Sequence, residues 1–184
     1  TAESEVGAVW MKNGTKIAFL SSTDDGMQLF TMDPNGENRK QISNVEKGID
    51  GFLFSPDETK ILLIRNIKYG KASTDVYPDL DKADVKIVDD LMYKHWDHWV
   101  TEIPHPFIGN VSEDGISDIV DIMEGEPYEC PMLPFGGTES FSWSPDSKTI
   151  AYSSRKKTGT VSPQIPTFIC TISRLKRPRT SPRE

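Results

Sequence analysis

Cysteine is scarce in this chain: Cys130 and Cys170 are the two among 184 residues. Two thiols build neither a disulfide framework nor a four-ligand zinc site. No apolar run approaches the ~20 residues that cross a bilayer as a helix, which argues against a membrane partner. Positive charge is also in deficit, with a net charge of -7 and a pI near 5.0. No field of that sign draws phosphates, so a nucleic-acid partner is disfavoured. The chain opens at Thr1 without an initiator Met, a basic stretch or an apolar signal core. The expectation is a processed N-terminus or an internal segment. What is present suits a packed domain, or a piece of a larger one. Hydrophobic residues make up 36% and charged residues 27%, a balance that argues against disorder of the whole chain.

An internal repeat underlies the first 160 residues. Three segments align without gaps: Trp10-Met-Lys-Asn-Gly-Thr-Lys-Ile-Ala-Phe19, Phe54-Ser-Pro-Asp-Glu-Thr-Lys-Ile-Leu-Leu63 and Trp143-Ser-Pro-Asp-Ser-Lys-Thr-Ile-Ala-Tyr152. Each reads as an aromatic, a polar turn and an alternating apolar strand. Pro56 and Pro145 preset φ for the first corner of a turn, and Asp57 and Asp146 can bond back to nearby backbone. Asn13-Gly14 supplies the turn in the first copy by tolerating positive φ. The spacings are 54 - 10 = 44 and 143 - 54 = 89 residues, the second nearly twice the first. A period of roughly 40–45 residues with four strands per unit signals β-propeller blades. The recurring aromatics Trp10, Phe54 and Trp143 are expected to pack between sheets.

The long period is expected to hold a further blade, opening near residues 96–100 and continuing in strands over 102–111 and 116–123. That makes about three to four four-stranded antiparallel blades in an all-β fold. Between residues 81 and 99 the turn punctuation disappears. Ala83, Ile87, Val88, Leu91, Met92 and His95 recur at spacings of three and four, which predicts a helical insertion, with a buried strand as the competing reading.

The Ser-Pro-Asp turns, the period and the stretch Asp89-Asp90-Leu91-Met92-Tyr93-Lys94-His95-Trp96-Asp97-His98-Trp99 resemble the propeller domain of prolyl oligopeptidase-family serine peptidases. Within that family the similarity is greatest to the dipeptidyl peptidase V and acylaminoacyl peptidase branch. The resemblance implies a propeller placed before a catalytic α/β-hydrolase domain, which is expected as the missing C-terminal partner. It also implies peptide substrates, no cofactor, and a periplasmic or secreted location. The alternative is a non-enzymatic periplasmic propeller of the Tol-system kind, acting as a protein-binding module.

Residues 161–184 break the pattern. Five basic side chains (Arg174, Lys176, Arg177, Arg179 and Arg183) face one acid, Glu184, so the tail carries +4 and residues 1–160 carry -7 - 4 = -11. Neither strand alternation nor helical periodicity is evident. The expectation is a basic tail that is out of frame or disordered. Codons compatible with residues 161–176, read two bases later, spell Ile-Ala-Thr-Asn-Thr-Asp-Ile-Tyr-Leu-Tyr-Asp-Leu-Glu-Thr-Lys, which looks like a blade strand of the family.

Catalytic candidates are absent. The Gly-x-Ser-x-Gly elbow that exposes a nucleophilic serine does not occur, and Ser142 and Ser144 belong to the repeat. His95 and His98, with Asp97 between them, suit zinc in residue type, but no third ligand is set by spacing. With Trp96 and Trp99 beside them, His95 reads as part of a packing anchor, and no metal is expected. In the resembling dipeptidyl peptidases, acids from a propeller insertion hold the substrate's free α-amino group. That implies Asp89, Asp90 or Asp97 here, with Asp84 a rival, although a solvated acidic face is the competing reading.

Overall fold

The computed structural model describes residues 4–79, 82, 85–88, 94–155 and 168–174. Two four-stranded antiparallel sheets and one three-stranded sheet stack face to face. Sheet 1 is a meander of β1 (Glu5–Met11), β2 (Lys16–Thr23), β3 (Gly26–Met32) and β4 (Lys40–Gln41). Sheet 2 contains β5 (Gly51–Phe54) and β6 (Lys60–Lys68), followed by a short helix α1 (Ser73–Val76) and the hairpin β7 (Lys94–His95) and β8 (His98–Trp99). It is completed by β9 (Glu102–Val111) and β10 (Ile116–Asp121), in the order β10-β9-β6-β5. Sheet 3 holds β11 (Phe141–Trp143), β12 (Thr149–Arg155) and β13 (Phe168–Arg174).

The three repeat segments occupy equivalent places. Each motif aromatic stands opposite the isoleucine seven residues on: Trp10 pairs with Ile17, Phe54 with Ile61 and Trp143 with Ile150. In both proline-containing turns the serine hydroxyl donates to the aspartate, Ser55 to Asp57 at 2.7 Å and Ser144 to Asp146 at 2.6 Å. The same serine oxygens accept the N–H groups of Lys60 and Thr149 at 3.0 and 2.9 Å. Glu58 and Ser147 take positive φ of 54° and 58°, where the first copy has Gly14 at 84°. Neighbouring turns are also tied together. The Lys12 N–H donates to the Glu58 carboxylate at 2.8 Å, and the Asp57 N–H to the Ser147 hydroxyl at 3.1 Å.

Alternation decides which sheet each side chain meets. Ala18, Leu20 and Leu29 of sheet 1 bury against Phe52, Ile61 and Leu63 of sheet 2. Leu62, Ile64 and Ile108 point the other way, against Phe141, Ile150 and Tyr152 of sheet 3. Sheet 2 is therefore apolar on both faces, as an interior sheet must be.

Four expectations from the sequence change. The long period holds no further blade among the described residues. Strands β6 and β9 are direct neighbours, paired from Lys60↔Asn110 to Lys68↔Glu102. The 89-residue spacing is one sheet whose middle connection, residues 69–101, is an insertion. The helix expected over 81–99 is replaced in its described part by the β7–β8 hairpin, turned at Trp96 and Asp97, with Trp96 at a φ of 52° that no helix accommodates. Of the apolar residues at that spacing that are described, Val88 lies exposed and Ile87 half-buried. Trp10 is 66% exposed instead of packed between sheets, and among the described residues no sheet lies on that side. In the tail, Phe168–Arg174 forms β13 along the whole of β12. Its β-branched and aromatic residues suit a strand despite the basic surroundings.

Candidate functional site

Antiparallel strand order places connections at opposite ends of the sheets. The Ser-Pro-Asp turns and the β9–β10 turn lie at one end. The described part of the insertion 69–101 and the β10–β11 connection, residues 122–140, lie at the other, and they touch. Trp96 at the hairpin tip meets Phe135 edge to face, with ring centroids 5.8 Å apart. Both stay open to solvent, at 77% and 84% exposure. Next to them the Lys94 ammonium lies 5.0 Å above the Trp99 ring, a cation–π contact.

The insertion leaves and returns at one point. The Tyr69 N–H donates to the Thr101 carbonyl at 2.9 Å, directly beyond the Lys68↔Glu102 pair. Its start is pinned by Asp75, whose carboxylate accepts the Ala72 N–H at 2.8 Å and pairs with Lys68. These contacts hold the Asp75 carboxyl below the usual carboxylate range.

Of the acids named from sequence, Asp97 lies in the hairpin turn, largely exposed, with its Oδ1 3.5 Å from His98 Nδ1. Asp84, Asp89 and Asp90 lie outside the described residues. His95 is paired through its backbone with His98. Trp96 and Trp99 are solvent-facing aromatics of the hairpin, not buried anchors. Among the described residues, no group of three His, Cys, Asp or Glu side chains is placed to hold a metal ion. Ser144 is tied into its turn by Asp146 and Thr149.

The structure also assembles a polar cluster that the repeat pattern did not single out. His105 is completely buried on β9, and its Nδ1 lies 2.8 Å from the Asp121 carboxylate of β10. Asp121 also accepts the Met123 N–H at 2.7 Å. Arg65, opposite His105 on β6, lies 4.7 Å over the Phe107 ring and reaches the Glu46 carbonyl at 3.4 Å. Burial pulls its guanidinium below the usual range and pushes the nearby Asp50 carboxyl up. A His–Asp pair suggests proton transfer, but a wholly enclosed imidazole meets no substrate atom. The cluster clamps sheet 2 to the segment arriving from sheet 1. Its signal in the sequence is a histidine between two prolines in an otherwise apolar strand.

No family model matches the chain. It is 57% identical over 159 residues to dipeptidyl-peptidase 5 of Porphyromonas gingivalis, covering 86% of this chain and 23% of that protein. Dipeptidyl-peptidase 5 of Porphyromonas endodontalis is 39% identical over 150 residues, covering 82% and 22%. The chain thus spans about a quarter of the length of these curated relatives. Among solved structures, Pyrococcus horikoshii acylaminoacyl peptidase superposes with a TM-score of 0.59 at 13% identity, over 94% of this chain and 24% of that one. At that identity the likeness concerns the fold alone.

Proposed function

This chain belongs with the dipeptidyl-peptidase 5 proteins of the prolyl oligopeptidase family, and from that premise we propose that it is the substrate-gating propeller portion of a serine dipeptidyl peptidase. The observation that carries the reading is the 57% identity to a dipeptidyl-peptidase 5 over 159 residues of the chain. A hydrolase domain elsewhere in the longer polypeptide supplies the nucleophile. The sheets act as a wall and filter, so that only short or extended peptides reach it. The insertion 69–101 faces the peptide, and its acids, Asp97 with Asp89 and Asp90, receive the free α-amino group. A carboxylate there forms charge-assisted hydrogen bonds to the ammonium and sets the register from the chain end.

The test uses the longer protein and two substrates, one with a free N-terminus and one N-acylated. Release of dipeptides from the free substrate supports the reading. Asp→Asn changes at 89, 90 and 97 are expected to raise KM for the free substrate about tenfold or more for the acid that makes the contact. The same changes leave the acylated substrate unaffected. Equal cleavage of both substrates by every variant would remove the amino-group role.

A further inference from the structure

The connection that follows β10 is fastened to β9 on both sides of His105 and through it. The Ile122 N–H donates to the Pro106 carbonyl at 3.1 Å, and the Cys130 N–H to the Pro104 carbonyl at 2.8 Å. Between the two prolines, His105 Nδ1 meets one oxygen of the Asp121 carboxylate at 2.8 Å, and the other oxygen accepts the Met123 N–H at 2.7 Å. Neither proline has an N–H to give, so β10 cannot run on as a regular ladder past Asp121. The chain turns instead, burying Met123 and Cys130 in the core shared with sheet 3. Five residues after Cys130 stands Phe135, in a turn closed by the Gly136 N–H on the Met132 carbonyl at 2.7 Å.

On the same strand, three residues before His105, Glu102 closes the insertion, where the Tyr69 N–H bonds to the Thr101 carbonyl. One short stretch of β9 therefore roots both excursions whose tips meet, Trp96 from the insertion and Phe135 from the connection. Packing alone does not explain a histidine at this root. His105 is completely buried, and its Nε2 has no hydrogen-bond partner among the described residues. A leucine would fill the same place without stranding a polar atom. Asp121 stands opposite Phe107 and so lies diagonal to His105, within side-chain reach on the same face. What the pair adds over a leucine is direction, because a charge-assisted hydrogen bond fixes where the connection leaves β10.

We propose that His105 and Asp121 are positioning residues for the peptide-binding face, an inference that takes the peptidase reading as its premise. The pair holds the connection against β9 so that Phe135 meets Trp96, one residue from Asp97 in the hairpin turn. The rim made by these three side chains then keeps one geometry, and a peptide N-terminus binds there without first ordering two loops. Neither His105 nor Asp121 touches substrate. Both act through the backbone they fix.

The test measures steady-state hydrolysis of a dipeptidyl anilide with a free N-terminus by variants of the longer protein, together with their hydrogen exchange and melting temperatures. His105→Leu fills the space but offers Asp121 no donor, and is expected to raise KM about fivefold or more while kcat stays within about twofold. His105→Asn places an amide N–H about where Nδ1 stands. It is expected to melt lower than the parent, because it leaves a cavity, yet to keep KM within about twofold. Ile61→Val, a core change away from the connection, is expected to lower the melting temperature and leave KM unmoved. Amides of residues 122–137 are expected to exchange faster in His105→Leu and not in Ile61→Val. Should His105→Leu not fold, Asp121→Asn keeps acceptors but loses the charge, and is expected to raise KM about threefold. A KM that merely follows the melting temperature across the variants, or unchanged exchange over 122–137 when the pair is broken, would overturn the proposal. Failure of the premise reads differently: the unsubstituted longer protein would release no dipeptide at all, and the proposal falls with it.

Discussion

At the scale of single residues, the Ser-Pro-Asp turn shows how a short motif sets its own geometry. The Asp57 carboxylate accepts from the Ser55 hydroxyl at 2.7 Å, the Thr59 hydroxyl at 2.9 Å and the Thr59 N–H at 3.1 Å. These donors, the serine hydroxyl first, hold its carboxyl well below the usual range. Because Asp57 is exposed, solvent screens the benefit, and Asp57→Ala is expected to cost only about 1 kcal/mol in urea denaturation. A depressed folded-state pKa gives stability that is complete above the unfolded value, near about 3.9, and fades as pH falls through the folded one. The gap between parent and variant therefore narrows below pH ~4. A gap that widens on acidification would contradict the hydrogen-bond assignment. His105 sits at the opposite extreme of exposure. Asp121→Ala strands both the buried imidazole N–H and the Met123 N–H, and is expected to cost about 2 kcal/mol or more. Asp121→Asn keeps an acceptor and costs less. Cys130 is fully buried, and burial pushes its thiol up to about 12. In a Cys170→Ser background, a thiol reagent at pH 8 is therefore expected to label the chain only after denaturant is added.

Secondary-structure elements divide by whether their cause is local. The turns at 55–59 and 144–148 are legible in the sequence because proline, serine and aspartate fix them within five residues. The Trp10, Phe54 and Trp143 register follows for the same reason. The insertion is not legible in that way. Nothing near Lys68 announces that its partner is Glu102, since the pairing is set by Leu62, Leu63 and Ile64 finding Phe107 and Ile108 across a long excursion. The doubled period alone therefore looks like an extra blade. The hairpin at 94–99 is not announced by the apolar spacing over 83–95, and its own aromatics, Trp96 and Trp99, stay exposed. His105 carries no periodic signal beyond its two flanking prolines, and its burial against Asp121 shows its role. The common entry and exit of the insertion has a direct consequence. Replacing residues 70–100 with Asn-Gly closes β6 onto β9 by a two-residue hairpin of the favoured twist. Sheet 2 is expected to survive, with its strand signal in circular dichroism retained and the melting temperature shifted by only a few degrees, about 1 kcal/mol. Loss of the cooperative transition would mean that the insertion is part of the core.

Over the whole molecule, stability is set by how many faces of each sheet are covered. Sheet 2 contributes to both cores, through Ile61 and Leu63 on one side and Leu62 and Ile64 on the other, all fully buried or nearly so. Within the chain, sheets 1 and 3 each share one core. A stacked array of this kind behaves as a row of units coupled to their nearest neighbours, so protection from opening is greatest in the middle and falls toward the ends. Native-state hydrogen exchange is expected to find the slowest amides in β6, around Ile61–Ile64, where the strand is hydrogen-bonded to β5 and β9 and covered on both faces. The short edge strand β4 is expected to exchange first. Low denaturant should release the sheet 1 amides before those of β6, because sheet 1 joins one of the two cores and sheet 2 joins both. The order of release reports the internal stack. Uniform exchange across all three sheets at low denaturant would show that the chain opens as a single unit and that doubly covered β6 has no advantage.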